Sequence, residues 1–193
     1  MEYARIAPIM GRLWSPIAAV TSHWQGKSNA QIAVAISAAS IVPDMPRVLL
    51  QIYKTNYSHD LIYNSGSFAL NFLRQDQLEL INDFGLVSGR DKDKLSDVGH
   101  APKATGSPIL DDCWGFLDCR VVNAMDGGDM TCFLGDVLDG EALSQAEPLY
   151  WRDARREIPA AWNEEWDRKI SGEIEVSKRR MPNLDFKPWQ PKG

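Results

Sequence analysis

Over the first two thirds of the chain, apolar residues recur mostly at a spacing of two, the period of a strand with one buried face. Residues 47–53 set Val48, Leu50 and Ile52 on one face, and residues 67–73 set Phe68, Leu70 and Phe72 on one face. Upstream, Pro16 precedes a β-branched run at 17–22, and a polar hairpin-like segment at 23–29 leads to a second strand near 31–37. Pro43 and Pro46 then break the chain. Two longer strands, 114–125 and 130–138, flank Asp126-Gly127-Gly128-Asp129, which has the residues of a tight hairpin turn.

Helical spacing appears twice in this region. A short helix follows 47–53, with Ser58 as its cap, Leu61 and Ile62 as its apolar side and Ser65-Gly66 as its end. A second runs over 76–84, with Leu78, Ile81 and Phe84 at helical intervals and Gly85 as its stop. Residues 86–107 are polar, lack periodicity and read as a long functional loop. Strands joined by turns, with only short helices between them, predict a mainly β fold closed as an antiparallel barrel. After Glu147 the composition changes, and four of the seven Trp residues (Trp151, Trp162, Trp166 and Trp189) stand among Arg, Glu and Pro. The expected organisation is a barrel domain at 1–146 and a Trp-rich extension at 147–193, either an arm that packs on something or a terminal helix folded on its own barrel.

Composition narrows the chemistry. The 193 residues carry 21 basic and 26 acidic side chains, a net charge of −5 without like-charge blocks, which argues against phosphate-driven binding of nucleic acid. No apolar run approaches the ~20 residues of a membrane helix. No basic stretch with an apolar core opens the sequence, so a cytoplasmic protein is expected. Cys113, Cys119 and Cys132 are odd in number and include no Cys-x-x-Cys pair, which predicts buried thiols rather than a disulfide frame or zinc site. Gly26-Lys27-Ser28 lacks the earlier glycine of a phosphate loop, and neither G-x-G-x-x-G nor G-x-S-x-G occurs. His23, His59 and His100 have no metal-like spacing.

Small polar residues remain at strand ends: Thr21, Ser22, Asn29 beside Ala30, Ser37 and Ser40. They allow close backbone approach and offer hydroxyl and amide groups to a flat or anionic ligand, although ordinary turn chemistry also uses them. Lys54 and Ser58 add an ammonium and a hydroxyl at the start of a helix, a combination suited to phosphate.

The order of these pieces resembles the flavin reductase-like FMN-binding split barrels. The likeness runs from Pro16-Ile17-Ala18-Ala19-Val20-Thr21-Ser22 through Lys54-x-x-x-Ser58-His59-Asp60 and Ser67-Phe68-Ala69-Leu70-Asn71 to Ser88-Gly89-Arg90-Asp91-x-x-Lys94 and Leu134-Gly135-Asp136-Val137. It implies a Greek-key split barrel that forms a homodimer with FMN near the interface. Thr21, Ser22, Asn29, Lys54 and Ser58 would then hold the phosphate end, the backbone near 36–40 would line the ring, and Ser88, Gly89 and Lys94 would close over it. The implied activity is that of an FMN flavoprotein oxidoreductase using NAD(P)H or a protein donor, with an oxygenase or redox protein as possible partner. One departure matters. Where members reducing free flavin carry a His in the last hairpin, this chain has Gly128-Asp129-Met130, and a thioether neither donates a hydrogen bond nor carries charge. A flavin-binding or carrier protein without nicotinamide turnover is therefore the alternative.

Overall fold

The structure, a computed structural model, describes residues 2–184, 187, 189 and 190, so the end of the extension, 191–193, lies outside it. After a short helix α1 (Ala7–Met10), strands β1 (Ala18–Trp24) and β2 (Lys27–Ala33) form the first hairpin. Its turn is Gln25-Gly26, both at positive φ (49° and 74°), the geometry of a tight two-residue hairpin loop. The strand expected at 31–37 divides into β2 and a short β3 (Ile36–Ala38), and β4 (Arg47–Tyr53) follows the proline-rich break. Next come α2 (Tyr57–Ser65), β5 (Ser67–Phe72) and α3 (Glu79–Gly85). Gly66 ends α2 in the left-handed region (φ 69°), a conformation that favours glycine.

The segment read as a loop is partly ordered: β6 (His100–Pro102) pairs with β7 (Pro108–Leu110). Three-residue strands bounded by proline leave too short a period to be seen in sequence. The long strands β8 (Gly115–Asp126) and β9 (Met130–Ala142) complete a seven-stranded antiparallel sheet in the order β2-β1-β5-β8-β9-β4-β3. Coiled on itself, this sheet is the split barrel.

Strands β1 and β5 are buried on both faces. Ala18, Val20, Phe68 and Leu70 point to the barrel interior with Leu50, Ile52, Cys119 and Phe133. Ile17, Ala19 and Ala69 point outward, to a second apolar layer holding Phe84, Leu110, Leu149, Trp151, Ala154 and Ile158. The small alanines on the outward side let that layer lie close. Asn71, fully buried, joins the layers: its amide donates to the Ala19 carbonyl and the Thr21 hydroxyl at 3.1 Å each, and its oxygen accepts from Leu110 N–H at 2.9 Å.

The chain beyond 146 packs on its own barrel. Bridges at Pro148 and Tyr150 tie it to Arg74 and Pro16, and helix α4 (Trp151–Glu157) buries Trp151 and Ala154 in the outer layer. Helix α5 (Ala160–Arg180) follows, with Trp162, Trp166 and Ile170 at i, i+4 spacing and Lys178, Arg179 and Arg180 in its last turn, where cations favour the helix dipole. Among the described residues no helix is long and apolar enough to cross a membrane, and no cluster of His, Cys, Asp and Glu could hold a metal ion.

Candidate functional site

A cavity of about 400 Å³ opens where β2, the end of β4, the end of α3 and α5 meet. That volume suits a small planar ligand or cofactor. Its apolar walls include Ile32, Val34, Phe84, Trp151, Trp166 and Ile170, and its polar lining includes Asn29, Thr55, Ser88, Arg90, Lys94, Lys169 and Glu173.

Asn29 is buried on β2. Its amide donates to the Ser58 hydroxyl at 2.8 Å, while its own oxygen Oδ1 is buried without a partner, as is the hydroxyl of Thr55. Both residues line this cavity; Ser22, His23, His59 and Asn163, which do not, also carry buried polar atoms without a partner. Gly89 stands directly against Asn29, and a Cβ there would run into the Asn29 amide.

Cations gather on the same lining. Lys94 is buried, and two of its three N–H donors go to the carbonyls of Ala30 (3.0 Å) and Phe84 (2.8 Å). Burial, then the nearby charge of Lys169, pushes its ammonium down to about 8. Lys169 reaches from α5 to the carbonyl of Gly85. Arg90 donates to Asp60 Oδ2 (2.7 Å) and to the carbonyl of Thr55 (3.2 Å), and its guanidinium lies over the Tyr57 ring. It thereby pins the 86–95 loop to the start of α2, whose N-terminus has no side-chain cap. Glu173 is the only carboxylate among the described lining residues; burial raises its pKa against the opposing pull of Lys169, 3.9 Å away. Tyr53, lining the same wall, is raised by burial and then by Glu173.

Of the residues singled out in sequence, Asn29, Ser88, Gly89, Lys94 and Met130 line this cavity. Ala30 contributes its carbonyl to Lys94. The others lie elsewhere. Thr21 spends its hydroxyl on the Pro108 carbonyl, fastening β7 to β1, and Ser22 is fully buried beside it in the same strand. Ser37 is exposed on β3, and the Ser40 hydroxyl accepts from Val42 N–H at 3.1 Å. Lys54 is ion-paired with Asp126 at the end of β8, so a phosphate there would have to displace a carboxylate. Ser58 does not cap α2; Asn56 is the cap residue, and Ser58 sits inside the first turn as the acceptor for Asn29. Thr55, Lys169 and Glu173 carry no signal in the sequence that marks them as site residues. Arg90 stands in the Ser88-Gly89-Arg90 motif, and the sequence leaves two expectations for Trp151, Trp162 and Trp166, an aromatic reaching a flavin across a dimer or an arm that only buttresses the barrel; Trp151 and Trp166 line the cavity of their own chain.

Comparison with known proteins gives this geometry a context. The sequence profile of the family described as "Flavin reductase like domain" matches residues 10–159. A high molecular weight rubredoxin of Moorella thermoacetica is 30% identical over 142 residues, covering 71% of this chain and 61% of that protein, so the chain spans under two thirds of that relative. The reductase subunit HsaB of a flavin-dependent monooxygenase from Rhodococcus jostii is 27% identical, with 83% of this chain and 84% of that one aligned. Among solved structures, the FMN-binding protein of Thermus thermophilus with bound p-hydroxybenzaldehyde superposes with a TM-score of 0.62 at 25% identity, over 67% of this chain and 73% of that one.

Proposed function

The chain belongs to the flavin reductase like family, and from that premise we propose that it binds FMN in the cavity between β2, β4, α3 and α5 and works as a flavin reductase-like oxidoreductase. The observation that carries the assignment is the pairing of unpartnered buried polar atoms, Asn29 Oδ1 and Thr55 Oγ1, with an aromatic wall in one cavity of flavin-like size. When bound, the flavin itself supplies hydride and single-electron transfer, and the protein supplies position, electrostatics and access.

The residues divide that work. Ile32, Val34, Trp151 and Trp166 offer flat apolar surface for a ring and keep water from it. Asn29 and Thr55 offer unused hydrogen-bonding capacity to its polar edge. Arg90, the third donor of Lys94 and the uncapped start of α2 favour an anionic tail, which takes the phosphate role that Lys54 cannot fill while paired with Asp126. NAD(P)H or a protein is the proposed electron donor, and an oxygenase or redox protein the proposed partner, supported by the likeness to a monooxygenase reductase subunit. The working unit is proposed to be a homodimer.

Met130 favours a second reading, a flavin carrier without nicotinamide turnover, because it lines the cavity with a thioether in place of the family's hairpin His. Anaerobic mixing of the FMN-loaded protein with NADH or NADPH, followed by flavin absorbance, separates the two. Slow bleaching that Met130→His accelerates is the expected outcome for the oxidoreductase. No bleaching by either nucleotide in the unmodified protein and in Met130→His supports the carrier, and rapid bleaching of the unmodified protein contradicts the role given to Met130.

A further inference from the structure

Two ammonium groups converge on the last turn of α3. Lys94, from the 86–95 loop, donates to the carbonyl of Phe84 as well as that of Ala30, and Lys169, from α5, donates to the carbonyl of the next residue, Gly85. Carbonyls at the end of a helix carry the negative pole of its dipole and favour cations, but at about half a charge they do not neutralise two ammonium groups. The two lie near enough that Lys169, after burial, holds the Lys94 pKa down.

Neighbouring carboxylates do not balance them either. Lys94 is buried with both of its hydrogen bonds on neutral carbonyls, and the one charge that shifts its pKa is another cation. Lys169 faces Glu173 at 3.9 Å, beyond hydrogen-bonding distance, and burial makes that carboxyl easier to protonate, which weakens the pairing. Arg90, a further cation on the lining, is already paired with Asp60. Lys94, Lys169 and Glu173 all line the cavity, so its wall at the end of α3 carries an excess of positive charge. Donors remain there as well: Lys94 uses two of its three N–H groups and Lys169 one.

Resting on the flavin reading above, we propose that Lys169 binds the phosphate of the ligand: with Lys94 it makes a two-ammonium anion site across the end of α3. Helix α5 lies beyond the residues that the family profile matches, so this contact to the nucleotide comes from the extension and not from the shared barrel. A phosphate monoester suits the site, because its charge of about −2 at neutral pH balances two ammonium groups and its three terminal oxygens accept from both. The two lysines stand on consecutive carbonyls, which brings them within the span of one phosphate. Glu173 opposes the same anion and tempers its binding.

FMN and riboflavin differ only in the phosphate, so the ratio of their dissociation constants isolates this site. Titration of each into the full chain, followed by quenching of flavin fluorescence, should show the unmodified protein preferring FMN by about tenfold or more. Lys169→Met should weaken FMN by about tenfold and leave riboflavin unchanged, Lys169→Arg should keep most of the preference, and Glu173→Gln should raise it. Equal loss of FMN and riboflavin in Lys169→Met, or no change in either, overturns the phosphate contact and leaves the flavin reading standing, as does an unmodified protein that binds both ligands equally. If Lys169→Met does not fold, Glu173→Gln decides, because it removes the opposing charge without touching the lysine: a preference for FMN that does not rise refutes the contact. Failure of both ligands to bind the unmodified protein overturns the flavin reading, and the Lys169 proposal with it.

Discussion

Lys94 carries two duties in one ammonium. It donates to the carbonyls of Ala30 and Phe84, joining β2 to the end of α3, and it contributes positive charge to the cavity. Burial, then Lys169, holds its folded pKa near 8, against an ordinary value of 10.5. Because the folded value is the lower one, the folded state disfavours the charged form. The resulting penalty is full below pH 8 and is relieved as pH rises from about 8 to 10.5. Denaturant unfolding at pH 7 and pH 10 should therefore show the unmodified protein gaining stability relative to Lys94→Met by up to a few kcal/mol. A pH-independent difference between the two would mean that the lysine is not desolvated. Little of this was visible in sequence. Lys94 could be picked out by its place after Ser88-Gly89-Arg90, but the reason Lys54 does not line the cavity is Asp126, a partner 72 residues away whose approach depends on the β8–β9 turn folding back. Ser58, expected to cap α2 at the phosphate end, instead lies inside the first turn and accepts from Asn29, a partner 29 residues away that no local pattern reveals.

At the level of elements, legibility followed length and contrast. β4, β5, β8 and β9 have long alternating faces, and the last hairpin has glycines where its turn needs them, so these could be read directly. The break between β2 and β3 falls within Ala33-Val34-Ala35, which carries no proline or glycine to mark it. Helix α5 is polar on most of its circumference, and its inner stripe is broken by Lys169 and Glu173, so its function could be suspected from its tryptophans but its direction across the cavity could not. A different group of elements bears on assembly. The 39–46 segment and strands β8 and β9 expose Ile41, Val42, Met45, Val122 and Leu138, and Ile41, Val42 and Leu138 line one shallow depression, apolar surface suited to a second copy of the chain. Light scattering at micromolar concentration should give twice the 21.6 kDa chain mass. A monomer that binds FMN would refute the homodimer and show that the cavity is complete in one chain.

For the molecule as a whole, two apolar layers share β1 and β5, and the cavity forms where the outer layer thins between α3 and α5. The barrel was legible because period-two strands and turns dictate it. The site was only half legible, because it is built from a loop, a helix end and a C-terminal helix that converge by packing and share no sequence motif. The central claim is that this convergence holds a flavin, and a crystal structure of the protein grown with FMN tests it most directly. The ring should lie against Trp166 with Asn29 and Thr55 at its polar edge, and the phosphate should lie toward Arg90 and Lys94. FMN bound instead at Lys54 with the Lys54–Asp126 pair broken, or an α5 closed down on a cavity without flavin, would contradict the account.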